Sequence, residues 1–133
     1  MHLIAVVMGA ETSQKRNDTA TKLLNYGFSN YGLYSDGEEN LGPLEISGGC
    51  KESIGTKKNA YEALVKRSEL GKITKEEIFF SDLEAPIKIN EKIGEIIYKI
   101  DGREIGKSDI IATEAVERLT LWEYILKIIK NLL

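Results

Sequence analysis

One histidine, one cysteine and two prolines are all that 133 residues contain of those types. The lone His2 excludes a histidine-based triad and any multi-histidine metal site from this chain. The lone Cys50 excludes intramolecular disulfides and cysteine-rich zinc sites. It follows Gly48-Gly49, but the only bases on offer are carboxylates and lysines, so a turn position before a strand is its better account. No stretch approaches the roughly 20 apolar residues that span a bilayer. The apolar run Leu3–Met8 is six residues long with no Lys or Arg before it, which does not make a secretory signal. Net charge is −3, with basic clustering no larger than doublets such as Lys57-Lys58 and Lys66-Arg67 and no RNA-binding aromatic motif, which argues against nucleic acid.

What is present falls into three zones. In residues 1–33, Leu-Ile-Ala-Val-Val-Met closed by Gly9 reads as a buried strand. A helix capped by Asn17 or Asp18 follows, with Ala20, Leu23, Leu24 and Phe28 on its apolar side, and reaches Tyr31 before Gly32. Residues 34–115 change to alternating periodicity. Asp101-Gly102 is a favoured type I′ pair, joining Ile96–Ile100 to Arg103–Ile105. That register sets Tyr98 opposite Ile105 and Lys99 opposite Glu104, one apolar pair and one of opposite charge. Leu44–Ile46, Ser53–Lys57, Ala60–Val65 and Ile73–Phe80 are further strands, and turn residues separate them. The expected architecture is mainly β: a small β-sandwich domain between a strand–helix unit and a C-terminal amphipathic helix.

The third zone, 116–133, is the most distinctive. Placed on a helix at roughly 100° per residue, Glu123, Lys127, Lys130 and Asn131 fall in one arc. The other nine of the last thirteen residues are apolar or aromatic. They span roughly 200°, about twice what one packing face needs. Thr120 and Glu123 have the spacing of a capping box. Three readings stand: a membrane-surface helix, a helix for a partner groove or self-association, and a helix lying on its own β domain. Aromatic residues near the start and lysines on the polar side favour the membrane surface. The expected contact residues are Leu121, Trp122, Tyr124, Ile125, Lys127, Ile128, Ile129, Lys130, Leu132 and Leu133.

Little else in the chain points to chemistry. Glu38-Glu39, Glu76-Glu77 and Asp82 with Glu84 suggest acid–base or cation work, but neighbours in a strand point to opposite faces, and a solvated surface explains them better. Gly residues form no phosphate-cradling pattern. No catalytic, metal-binding or cofactor-binding residue is assigned.

Leu3-Ile4-Ala5-Val6-Val7-Met8-Gly9-Ala10, Arg16, Ala20, Leu23-Leu24, Tyr26-Gly27-Phe28 and Tyr31 resemble the end of the catalytic domain of serine D-alanyl-D-alanine carboxypeptidases, the low-molecular-weight penicillin-binding proteins. Leu83-Glu84-Ala85-Pro86-Ile87, Ile93-Gly94-Glu95-Ile96 and Asp101-Gly102-Arg103-Glu104-Ile105-Gly106 resemble their C-terminal β-sandwich, and residues 120–133 their amphipathic anchor. The resemblance covers nearly the whole chain in family order. It implies a role in peptidoglycan maturation at the outer face of the cytoplasmic membrane, through a membrane-surface helix. The family's working motifs are S-x-x-K, S-x-N and K-T-G. None occurs here. The resemblance places them before Leu3, so the chain is expected to be a non-catalytic C-terminal region. The alternatives are a subunit completed by a separate catalytic fragment and an autonomous interaction module. Lacking its usual sheet, the Leu3–Met8 strand is expected to lie on the β domain, to pair with another copy, or to be poorly ordered.

Overall fold

The computed structural model describes residues 1–132. Its elements in chain order are α1 (Ser13–Asn30), β1 (Tyr31–Asp36), β2 (Glu39–Glu45), β3 (Ser53–Lys58), β4 (Tyr61–Lys66), β5 (Ile73–Phe79), β6 (Lys92–Ile100), β7 (Arg103–Ala112) and α2 (Leu121–Leu132), with a 3-10 turn at Arg67–Lys72. The architecture is mainly β. β2-β3-β7-β6-β5 form an antiparallel five-stranded sheet, and β1 and β4 form a two-stranded ribbon that packs on it.

Period-2 alternation builds the core. Even-numbered residues of the central strands point inward: Ile54 and Thr56 from β3, Ile96, Tyr98 and Ile100 from β6, Ser108, Ile110 and Ala112 from β7. Ala85, Ile87, Ile93 and Val116 complete the buried cluster. Each buried isoleucine contributes roughly 1.5–3 kcal/mol by leaving water.

The Asp101-Gly102 turn forms as expected. Both residues have positive φ, 48° and 81°, as a type I′ turn requires. Lys99 faces Glu104. Tyr98 does not face Ile105: a bulge shifts the register, Tyr98 lies opposite Gly106, and Ile105 is the extra residue. The cause is Tyr61 on β4. Its ring stacks on Tyr98 with centroids 4.0 Å apart and 12° between planes, and its hydroxyl donates to the Ile105 carbonyl at 3.0 Å. A β-carbon at position 106 would collide with that phenol, so only glycine fits beneath it.

The first zone differs from expectation in three ways. Leu3–Met8 forms no hydrogen-bonded strand. It runs extended along α1, with Leu3, Ala5 and Val7 half-buried and Ile4, Val6 and Met8 exposed. Leu3 sits against Gly27, so the segment lies on its own helix instead of on the β domain. The helix starts earlier, capped by Thr12, whose Oγ1 accepts from the Lys15 N–H at 3.2 Å. It ends at Asn30, and Tyr31–Asp36 is a strand whose partner is β4.

The ends of the sheet are unlike each other. α1 joins β1 beside the 3-10 turn, and Arg67 Nε donates to the Phe28 carbonyl at 3.1 Å. That turn leads into Ile73, opposite Ile100 at the Asp101-Gly102 end. α2 leaves from the other end, where Leu119 N–H donates to Gly48 O and Cys50 N–H to Glu117 O, both at 2.9 Å.

Candidate functional site

The capping box expected from Thr120 and Glu123 is closed in both directions. Glu123 Oε2 accepts from the Thr120 backbone N–H at 2.8 Å and from its hydroxyl at 2.7 Å, and Thr120 Oγ1 accepts from the Glu123 N–H at 3.4 Å. The Thr120 side-chain bond, followed by the backbone bond, holds the Glu123 carboxyl below its usual range. Local chemistry therefore starts α2 at Leu121 without help from tertiary packing.

The helix then presents its apolar arc to solvent. Leu121 is 81% exposed, Trp122 69%, Tyr124 54%, Leu126 49% and Ile129 50%, and Ile125, at 40%, is the most covered of the described large apolar side chains. Among the described side chains, one margin turns toward the β domain. Tyr124 and Ile128 line a groove of about 690 Å³, whose opposite wall is formed by Glu45–Gly49, Lys51–Ser53 and Leu119. This excludes the core-helix reading for the described side chains, because a core helix would bury its broad face. Lys130 is exposed. The side chains of Lys127 and Leu132, and the whole of Leu133, lie outside the described residues. Leu126 belongs to the exposed arc although it is not among the expected contact residues; its place at one edge of the wheel was the available signal. No helix among the described residues is long and apolar enough to cross a membrane.

Away from α2 the structure assembles one polar cluster that the sequence did not announce. Asp36 ends β1 and is 13% exposed. Its Oδ1 meets Lys58 Nζ at 2.7 Å, and its Oδ2 meets Lys75 Nζ at 2.8 Å. Tyr98 donates its hydroxyl to Oδ2 at 2.8 Å. Burial pushes the Asp36 carboxyl up, but the bonds from Lys58, Lys75 and Tyr98 outweigh it and bring it to about 2. Burial and the adjacent carboxylate push the Tyr98 phenol up to about 12. Lys58 loses solvation, yet Asp36 and Glu39 raise it above the ordinary lysine range. Four strands contribute: β1, β3, β5 and β6. A fully paired cluster of this kind ties the ribbon to the sheet and leaves no group poised for proton transfer at neutral pH.

Each carboxylate set has at least one member met by a cation: Glu38 by Lys57, Glu39 by Lys58, Glu76 by Lys99, and Glu84 by Arg118. Cys50 and His2 are exposed.

Residues 28–118 match the family described as Penicillin-binding protein 5, C-terminal domain. The chain belongs to that family. Relatives include a D-alanyl-D-alanine carboxypeptidase DacF of Bacillus subtilis (strain 168), 30% identical over 89% of this chain and 31% of its own length. A DacD of Salmonella typhimurium (strain LT2) is 34% identical over 86% of this chain and 30% of its own. The chain thus spans about a third of the length of the curated relatives it matches. The fold agrees with a solved structure of penicillin binding protein 5 from Haemophilus influenzae, with a TM-score of 0.71 at 22% identity, covering 84% of this chain and 34% of that one. The matched residues of the penicillin-binding protein 5 C-terminal domain contain the ribbon, the sheet and the Asp36 cluster, and stop two residues before Thr120.

Proposed function

We propose that this chain is a non-catalytic stalk and membrane-anchoring region of a D-alanyl-D-alanine carboxypeptidase of peptidoglycan maturation, working at the outer face of the cytoplasmic membrane. The observation that carries the proposal is α2: a self-capped helix whose described apolar side chains are at least 40% exposed. A helix with such a face, with lysines on its polar side, settles in the plane of a lipid interface. The bipolar layout fits a spacer. α1, the part that resembles the end of a catalytic domain, sits at one end of the sheet, and α2 leaves from the other. β6 alone, nine residues at about 3.3 Å each, separates them by roughly 30 Å.

Co-sedimentation with liposomes tests the anchor. The full chain is expected to pellet with vesicles, and a chain ending at Leu119 to remain in solution. Equal binding by the two would sink the anchor. A second reading, a subunit completed by a separate catalytic fragment, is favoured by Ile4, Val6 and Met8, which stand exposed on an extended segment with no sheet partner among the described residues. In a penicillin-labelling assay this chain alone is expected to stay unlabelled. Labelling of a separate fragment only when this chain is added would favour that second reading over a simple stalk.

A further inference from the structure

The end of the sheet from which α2 departs carries the chain's excess negative charge. Three loops make up that end. Loop 46–52 holds Glu52 and Lys51, loop 80–91 holds Asp82, Glu84 and Glu91 with Lys88, and loop 113–120 holds Glu114 and Glu117 with Arg118. Six acidic residues face three basic ones, so these loops match the −3 of the entire chain, and the remainder is balanced. Lys51 is already paired with Glu114 and Arg118 with Glu84. Among the described residues, the exposed carboxylates Asp82 and Glu117 meet no cation. On α2, Lys127 and Lys130 against Glu123 return a single positive charge. Helix and loops together remain negative.

Geometry brings this charge to the surface that α2 would contact. The loop 45–53 walls the groove beneath Tyr124 and Ile128, and Ser47 joins it to loop 80–91 through Leu83 and Ala85. A helix is roughly 10–12 Å across, so the loops would stand about that far from lipid headgroups. At low salt, charges interact over roughly 30 Å.

We infer that the lipid surface this end accepts is zwitterionic, and that anionic lipid opposes its attachment. The inference rests on the anchoring reading above. Apolar burial of the α2 arc drives attachment, and headgroup charge sets which bilayer is preferred. This differs from the usual basic amphipathic anchor, in which anionic lipid adds to binding.

The test measures binding of the full chain to phosphatidylcholine vesicles and to phosphatidylcholine vesicles containing about a third phosphatidylglycerol. Salt is set at about 0.01 M and about 0.15 M, where the screening length falls from roughly 30 Å to roughly 8 Å. Binding to the anionic vesicles is expected to be several-fold weaker at the lower salt, and the gap to narrow at the higher. The double variant Asp82→Asn, Glu117→Gln is expected to regain binding to anionic vesicles and to leave binding to phosphatidylcholine unchanged. Tighter binding of the unaltered chain to the anionic vesicles at low salt overturns the inference and leaves anchoring standing. An equal effect of the double variant on both vesicles also overturns it. Failure to bind either vesicle overturns the anchoring reading and this inference with it.

Discussion

Asp36 ties its strand to three others. Its carboxylate is shared by Lys58, Lys75 and Tyr98, so its loss leaves the nearly buried Lys58 ammonium with only the exposed Glu39 as an anionic partner. Asp36→Asn is expected to destabilise the domain by about 3 kcal/mol, read from urea unfolding, because breaking one side of a buried pair costs more than the pair contributes. The sign of the pH dependence follows from the depressed carboxyl. Its ordinary value is 3.8 and its folded value about 2. The unfolded chain takes up the proton first, so the contribution is complete above about pH 4 and is lost as pH falls through 2. Unfolding midpoints taken between pH 5 and pH 2 should fall more steeply for the unaltered chain than for Asp36→Asn. None of this was legible in the sequence. The partners lie at 58, 75 and 98, on three other strands, and an Asp before Gly37 reads locally as a turn residue. Gly106 belongs to the same group of hidden positions. Gly106→Ala should destabilise strongly by displacing Tyr61 from Tyr98, and loss of the near-ultraviolet tyrosine dichroism signal would report it.

At the scale of elements, what could be read was what closes within a few residues. The β6–β7 turn needs only Asp101 and Gly102, and the start of α2 needs only Thr120 and Glu123; both form as read. β1 was missed because its hydrogen-bonding partner β4 begins 25 residues after β1 ends, and Tyr31-Gly32-Leu33-Tyr34 continues the polar–apolar mixture of α1. The expected Tyr98–Ile105 pairing does not form because the bulge answers Tyr61, which neither strand of the hairpin contains. The breadth of the α2 arc was legible in advance, and the structure adds that its face is uncovered. Thr120→Ala removes the side-chain oxygen that caps the helix, at a cost of about 1 kcal/mol. The variant should lose helical circular dichroism in solution. If lipid burial supplies most of the helix's stability, vesicles should restore it, and dichroism with and without vesicles separates the two contributions.

At the scale of the whole molecule, two exposed apolar features sit at opposite ends of a well-packed sheet. Ile4 is 91% exposed, Val6 75% and Met8 89%. An extended apolar segment with free edges favours association with another strand. Replacing Ile4 and Val6 with Thr is expected to lower self-association, measured by light scattering at increasing concentration, without moving the unfolding midpoint of the sheet. The zone boundary read near residue 33 falls inside β1, because the ribbon continues directly from α1.

The placement of α1 and α2 also decides how the domain carries a load. Interstrand hydrogen bonds run perpendicular to the strands. If α1 holds a further body and α2 a membrane, tension between them would enter at the start of β1 and leave from the end of β7, lengthwise along both strands. The rungs that join β1 to β4 and β7 to β3 and β6 would then be loaded sideways and together, instead of parting one after another as in a zipper. A tether under cell-wall tension gains from that arrangement, since its resistance depends on the ladder as a whole and on no single bond.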